Sequence, residues 1–283
     1  MSSISSVNTN VPGIAAAANV GRAGQTVAGS LLRLATGERI NRGADDPAGL
    51  IASENLRAAL VSLDSEVNTI DRADAVANVA DGALGQISDL LTDAKSRAVA
   101  NANTAGLSDA ERQANQLEVD SALQTADRIA STTRFNGEPL FTGDATLNAA
   151  GASLTIARPD SASIGEVTAN GQTYRLGDVR SGGALNIVSG DVSAAASSID
   201  AAISDVATQR GRLGAFQQDS LASERRSRQI TIENTAAANS VIRDTDFASE
   251  SAALARGQAL AASTIAAASL ANASPQRALR LVR

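Results

Sequence analysis

Leu56, Leu63, Ile70, Ala77, Leu84, Leu91 and Ala98 recur every seven residues, and no proline interrupts the chain between Pro47 and Pro139. A seven-residue apolar period held this long returns one helix face to the same neighbours again and again. A strand cannot use it, because strand side chains change face every second residue. The spacing therefore predicts a helix of about fifty residues starting at Asp46, roughly 75 to 80 Å long at 1.5 Å per residue. Companion apolar positions come four residues after the repeat at Leu60 and Val67, then three residues after it at Ala80, Ile87 and Ala94. The stripe drifts around the helix, which suits a nearly straight rod with changing neighbours better than a tightly supercoiled dimer.

The rest of the chain reads as mainly α around this helix. Aromatic residues are only 2% of the sequence, with no Trp and one Tyr, so thin seams between helices replace a thick core of large side chains. Residues 1 to 35 carry a weaker stripe at Val20, Val27, Leu31 and Leu34, and the Gly, Ser and Asn residues before Val27 lower its stability in isolation. Gly106 breaks the long helix, and Ser108-Asp109 opens another through about Ser131, with Ala110, Ala114, Leu117, Leu123, Ala126 and Ile129 as its expected buried face. Residues 138 to 190 change character: short β-type runs at 154–156, 166–168 and 173–176 surround Asn170-Gly171, a strong hairpin signal. About fifty residues are marginal for an independent domain. Helix returns near Val192, with Ile199, Ile203, Val206, Leu213 and Phe216 on one side, and continues toward Ile242. A last, Ala-rich helix runs from Phe247 to about Asn272, with a face at Leu254, Ala261, Ile265 and Ala268, and Ser274-Pro275 is expected to end it.

Two elbows join these helices. In LLRLATGERINRGADDPAGL, residues 31–50, Thr36 and Gly37 suit a helix C-terminus; Asp46 suits an N-cap, and Pro47, with no N–H to leave unpaired, suits the first helical position. Asp244 to Asp246 mark a second elbow, with Asp246 ahead of the last helix. Capping accounts for the acidic pairs Asp45/Asp46 and Asp244/Asp246 without a substrate. With no Cys and no His, a carboxylate-based hydrolase built on those pairs is the main catalytic reading left, and capping outweighs it. No metal or other cofactor is expected. A pI near 4.8 and net charge of −6 argue against nucleic acid, and Arg225, Arg226 and Arg228 read as a solvated helix face. No apolar run is long enough for membrane insertion. No Lys or Arg precedes Arg22, so no cleaved signal peptide is expected.

The two ends mirror each other: terminal helix, elbow, long helix inward, then the insert. The expected organisation is a coiled-coil layer from residues 1–45 and 243–283, a helical rod layer from 46–137 and 191–242, and a small β-rich insert at 138–190. Terminal helices that are individually marginal cannot bury their stripes within one subunit, so folding of the ends is expected to accompany assembly. The expected assembly seam comprises Val20, Val27, Leu31, Leu34, Leu56, Leu63, Ile70, Leu84, Leu91, Leu254 and Ile265, with Gly37, Asp46, Pro47 and Asp246 shaping the elbows. Head-to-tail contacts that do not close on themselves give helical filaments. By the same reading, residues 145–185 look dispensable, and the hydroxyls of residues 161–163 read as a polar loop rather than as sugar acceptors.

Four strings in order resemble one family. RLATGERINRGADDPAGL resembles the N-terminal signature of bacterial flagellins. Thr133-Arg134-Phe135-Asn136-Gly137 is similar to their turn after the second helix. DTDFASE at 244–250, followed by Ala255-Arg256, and the ending ASLANASPQRALRLVR complete the likeness. The resemblance implies a non-enzymatic, extracellular subunit that polymerises with itself into a flagellar filament for swimming. It also implies partners: the flagellar type III export apparatus, a chaperone shielding the C-terminal helix, and the cap and hook-filament junction proteins. The competing readings are a hook-filament junction protein and, from a different class, an intracellular coiled-coil scaffold.

Overall fold

The computed structural model describes residues 9–103, 106–143, 145–149 and 151–281. Among them the helices are α1 (Val11–Thr36), α2 (Pro47–Asn101), α3 (Asp109–Thr132), α4 (Val192–Ala215), α5 (Ala222–Arg243) and α6 (Phe247–Leu281). Three antiparallel hairpins lie between α3 and α4: β1 (Arg134–Phe135) with β2 (Glu138–Pro139), β3 (Ala145–Ala149) with β4 (Ala152–Ile156), and β5 (Val167–Ala169) with β6 (Gln172–Tyr174). The chain is mainly α, as its heptads require, and α2 continues unbroken for 55 residues. It forms two compact units, one from the chain up to Val61 together with the chain from Ile232 onward, the other from Ser62–Thr231.

The second unit holds the hydrophobic core. Ile70, Ala77, Leu84 and Leu91 of α2 are buried there against Val119 and Leu123 of α3 and Ile199, Ala202 and Val206 of α4. Leu63, nearer the end of the unit, is half-buried. The β-rich insert shares this core: Leu147, Ile156, Leu176, Val179, Leu185 and Ile187 enter it. The boundaries expected at 137/138 and 190/191 therefore do not divide compact units, because so short a segment buries its apolar side chains only by sharing a core with its neighbours.

The insert is pinned to α3 by polar side chains. The Ser161 backbone N–H donates to Asp127 at 2.7 Å, the Ser161 hydroxyl donates to the same carboxylate at 2.8 Å, and Arg180 pairs with it. Ser161 is thus a buried structural hydroxyl, whereas Ser163 is exposed. Asp120 accepts from the Ser181 N–H at 2.9 Å. Buried Gln116 accepts from the Ile187 N–H at 2.7 Å and donates to the Val179 carbonyl at 3.1 Å.

Gln116 also shows that the expected face of α3 holds at Leu123 and Ala126 but is out of phase in the first half of the helix. The buried side runs through Gln116, Val119, Leu123, Ala126 and Ala130, while Ala110 and Ala114 are exposed and Leu117 is 66% exposed. A 3-4 spacing fits either set; the two bonds of Gln116 to the insert's backbone, at Ile187 and Val179, favour this one. Ser108 and Glu111 form a full capping box at the start of α3.

Between α4 and α5 the helix makes a π-turn over Phe216–Leu221. The buried positions Leu213 and Phe216 are followed by Leu221, five residues later, so one extra residue is accommodated where an α-helix would place the next core position at 219 or 220. Polar pairs tie α4 and α5 to α2 within this unit: Lys95 to Asp200, Arg210 to Asp81, Arg225 to Asp71 and Arg228 to Glu66.

In the other unit, α6 continues past Ser274-Pro275 to Leu281 rather than ending there. Proline has no N–H for the carbonyl four residues earlier, here Ala271. That carbonyl instead accepts from Asn10 Nδ2 at 3.2 Å, while Asn10 Oδ1 accepts from the Gly13 N–H at 3.0 Å and caps α1. One carboxamide thus serves the start of α1 and the proline position of α6.

Candidate assembly interface

Both elbows belong to the unit formed by the chain ends, and they bond to each other. Gly37 takes φ 74, the left-handed conformation that ends α1, and its N–H donates to Arg33 O at 2.8 Å. Asp46 accepts from the Gly49 N–H at 2.9 Å and caps α2, with Pro47 as the first helical residue. Asp45 folds back to accept from the N–H groups of Asn41 and Arg42 at 3.1 and 2.9 Å. Asp246 accepts from the Ala248 and Ser249 N–H groups and caps α6.

Across the elbows, Glu38 and Asp244 form an antiparallel bridge. The Arg39 N–H donates to Arg243 O at 2.6 Å, the Thr245 N–H donates to Gly37 O at 2.9 Å, and the Arg39 guanidinium reaches Ile242 O at 2.5 Å. Arg243 donates to Glu54 at 2.9 Å and to Glu38 at 3.2 Å. These hydrogen bonds hold the guanidinium above its usual value and, with Arg57, hold the Glu54 carboxyl below its own. The two backbone N–H donors from Arg42 and Asn41 hold Asp45 below the usual carboxylate range.

From the elbows α1 and α6 run antiparallel. Arg33 pairs with Glu250 at 3.3 Å, a Cβ at Gly257 would lie 3.2 Å from Val27 Cγ2, and Asn10 meets Ala271 and Asn272 at the far end. The facing positions are Gly13, Ala16, Val20, Ala23, Val27, Ser30 and Leu34 on α1, and Leu254, Gly257, Ala261, Thr264, Ala268 and Ala271 on α6. The alternating steps of three and four are those of a coiled-coil seam, and the small residues let the axes approach closely. Val20, Val27, Leu34 and Leu254 are thus brought together, all half-buried, and Leu56 of α2 is half-buried in the same unit. Leu31 and Ile265 are not on the seam; they stand 50% and 58% exposed.

This unit buries almost nothing by itself. Among its described residues Ile40 is the only large apolar side chain that is buried, whereas Ile14, Leu31, Phe247, Leu260, Ile265 and Leu270 remain exposed. Two helices can shield only the faces they turn toward each other, so the outer faces stay in water until further helices cover them. The elbow-to-elbow bonds and the proline repair at Asn10 carried no sequence signal, because each joins residues 189 or more positions apart. The described residues hold no group of three or more Asp or Glu arranged for a metal ion, and no described helix is long and apolar enough to cross a membrane.

Residues 7–146 match the bacterial flagellin N-terminal helical region, and residues 196–282 match the bacterial flagellin C-terminal helical region. The flagellar filament 30.7 kDa core protein of Treponema maltophilum is 30% identical over 98% of this chain and 99% of its own length. The flagellar filament core protein flaB2 of Brachyspira hyodysenteriae is 31% identical over the same shares. A solved structure of a putative flagellar hook-associated protein from Vibrio parahaemolyticus matches 70% of this chain and 99% of its own with a TM-score of 0.53; at 19% identity this is a likeness of fold. The helical ends, their elbows and the matched length together place this chain in the bacterial flagellin family.

Proposed function

We propose that the α1–α6 pair and its elbows are the assembly element of this flagellin, completed by other copies of the same chain. Flagellins are structural filament proteins rather than enzymes, and this chain is a structural subunit of the extracellular flagellar filament that polymerises with itself. The observation that carries the proposal is the contrast between units: residues 62–231 own a continuous core, while among the described residues of the unit of chain ends one large apolar side chain, Ile40 of the elbow, is buried and many are exposed. Burial at about 25 cal/mol per Å² makes those exposed residues the largest unused source of stabilisation in the molecule. Val20, Val27, Leu34 and Leu254 serve the seam within a subunit, and Leu31 and Ile265 serve contacts between subunits. By resemblance, residues 1–45 and 243–283 line the inside of the filament.

Motility follows mechanically, with the filament transmitting rotor torque. The family likeness further supports export through the flagellar type III apparatus without a cleaved signal peptide, a chaperone over the C-terminal helix, and contact with the cap and hook-filament junction proteins. The junction-protein reading is weaker, because the filament core proteins match nearly end to end whereas the hook-associated likeness is one of fold. Deleting residues 265–283 tests the proposal: filaments should be lost while the second unit keeps its helicity and cooperative melting. Normal filaments from that truncation would refute it.

A further inference from the structure

We propose that Asn170 is a site of spontaneous deamidation, through which the polymer acquires charge and an altered turn with age. Asn170-Gly171 is the two-residue loop between the paired residues Ala169 and Gln172, with φ 52 and φ 79. This is the left-handed pair that a type I′ hairpin requires. In such a loop the N–H of the second residue takes no part in the ladder, so the Gly171 amide is not committed to a cross-strand bond. Asn170 and Gly171 are both exposed, and the Asn170 carboxamide has no hydrogen bond among the described residues. Gly171 carries no side chain to hinder approach to Asn170 Cγ.

The chemistry is a closed sequence. The Gly171 backbone nitrogen bonds to Asn170 Cγ, giving up its proton, and the side-chain nitrogen departs as ammonia, leaving a five-membered succinimide. Water then opens the ring at either carbonyl, giving aspartate or isoaspartate, and at neutral pH the chain gains one negative charge. Aspartate tolerates the left-handed conformation. Isoaspartate places an additional carbon in the main chain of a two-residue loop and so breaks the match between loop and strand twist.

Ring closure needs a backbone geometry outside the left-handed turn, so it proceeds from the opened hairpin, and the ease of opening ranks candidate sites. Asn136-Gly137 is the same dipeptide in the same conformation, at φ 51 and φ 88. It is held more firmly: the Arg134 guanidinium donates to Gly137 O at 3.2 Å, and β2 leads directly into buried Leu140 and Phe141, with the Leu140 N–H on Thr133 O at 3.1 Å. The β5–β6 hairpin is anchored at its open end, by the Arg175–Glu166 pair at 3.4 Å and by buried Leu176, but among the described residues no side chain bonds to its loop, and Thr168, Gln172 and Thr173 face water.

The test incubates the full chain, as monomer and as filament, at mildly alkaline pH. Peptide mapping by mass spectrometry follows each Asn, and an isoaspartate-specific methyltransferase reports the rearranged product. Asn170 should convert first, giving both aspartate and isoaspartate, with Asn136 lagging. The Asn170→Asp variant should fold and polymerise as the parent does but lose the early isoaspartate signal. Equal rates at the two dipeptides, a faster Asn136, or an isoaspartate signal undiminished in Asn170→Asp would each overturn the proposal.

Discussion

Asn10 offers the sharpest perturbation, because one atom of its side chain can be changed while the other keeps its role. In Asn10→Asp the oxygen that accepts from the Gly13 N–H is retained, and aspartate caps helices about as well as asparagine. The donor to Ala271 O disappears, and an anionic oxygen takes its place beside that carbonyl. A typical intramolecular hydrogen bond is worth about 1 kcal/mol net. If the chain ends order as they assemble, that loss applies to every subunit added, and since 1.4 kcal/mol is tenfold in an equilibrium constant, the critical concentration for polymerisation should rise about fivefold. Sedimentation of filaments against free monomer measures it. Pro275→Ala supplies the missing N–H to Ala271 and removes a helix-interior proline, whose usual cost is about 3 kcal/mol, so it should lower the critical concentration. In that background Asn10→Asp should have a smaller effect, since only its exposed bond to Asn272 Oδ1, 3.1 Å, is then lost without replacement. An unchanged critical concentration in Asn10→Asp, or an equal rise in both backgrounds, would refute the link between Asn10 and Pro275.

Thermal unfolding of the second unit should separate two apolar residues six positions apart on α3: Leu123→Ala costs about 2 to 5 kcal/mol as a buried truncation, whereas exposed Leu117→Ala stays within about 0.5 kcal/mol. Deleting residues 145–185 should lower the melting temperature of the same unit steeply or prevent its folding, because Leu147, Ile156, Leu176 and Val179 belong to its core; retained melting would mean that α2, α3 and α4 close without them. Asp45 and Glu54 titrate below their ordinary values, so their contribution to the elbows is fully present above the ordinary carboxylate range and is lost as pH falls through the depressed values. Acid disassembly of filaments should accordingly shift to higher pH in Arg243→Gln, which removes the partner of Glu54, and an unshifted midpoint would remove Arg243 from the account.

How much of this was legible in the sequence depends on how local each cause is. The buried stretch of α2 follows from Ile70, Leu84 and Leu91 recurring at seven. The caps at Asp46, Ser108 and Asp246, the αL residue Gly37, and the Asn170-Gly171 loop follow from the chemistry of one or two neighbouring residues. The second half of the α3 face was legible at Leu123 and Ala126, but the first half was not, since Leu117 and Val119 are equally apolar and the choice between them depends on the insert's backbone groups reaching Gln116. The π-turn was hidden because the stripe ending at Leu213 and Phe216 reads as one helix continuing toward Ile242. The extension of α6 beyond Pro275 depended on Asn10, at the other end of the chain. The insert looked separate because composition changes at its borders, whereas its apolar residues are too few to be buried without α2, α3 and α4.

The bridge between Glu38 and Asp244 sets an order of events on the chain. Everything from residue 39 to residue 243 is a loop closed by that contact, and loops of such length are slow to close. A chain emerging from its N-terminus can complete the core of residues 62–231 early, but it cannot lock its elbow, or seat α6 on α1, until residue 244 and the helix after it are free. On the proposed function, the unit through which copies join is therefore completed only after the core, and a chain held short of α6 keeps a folded core without that unit.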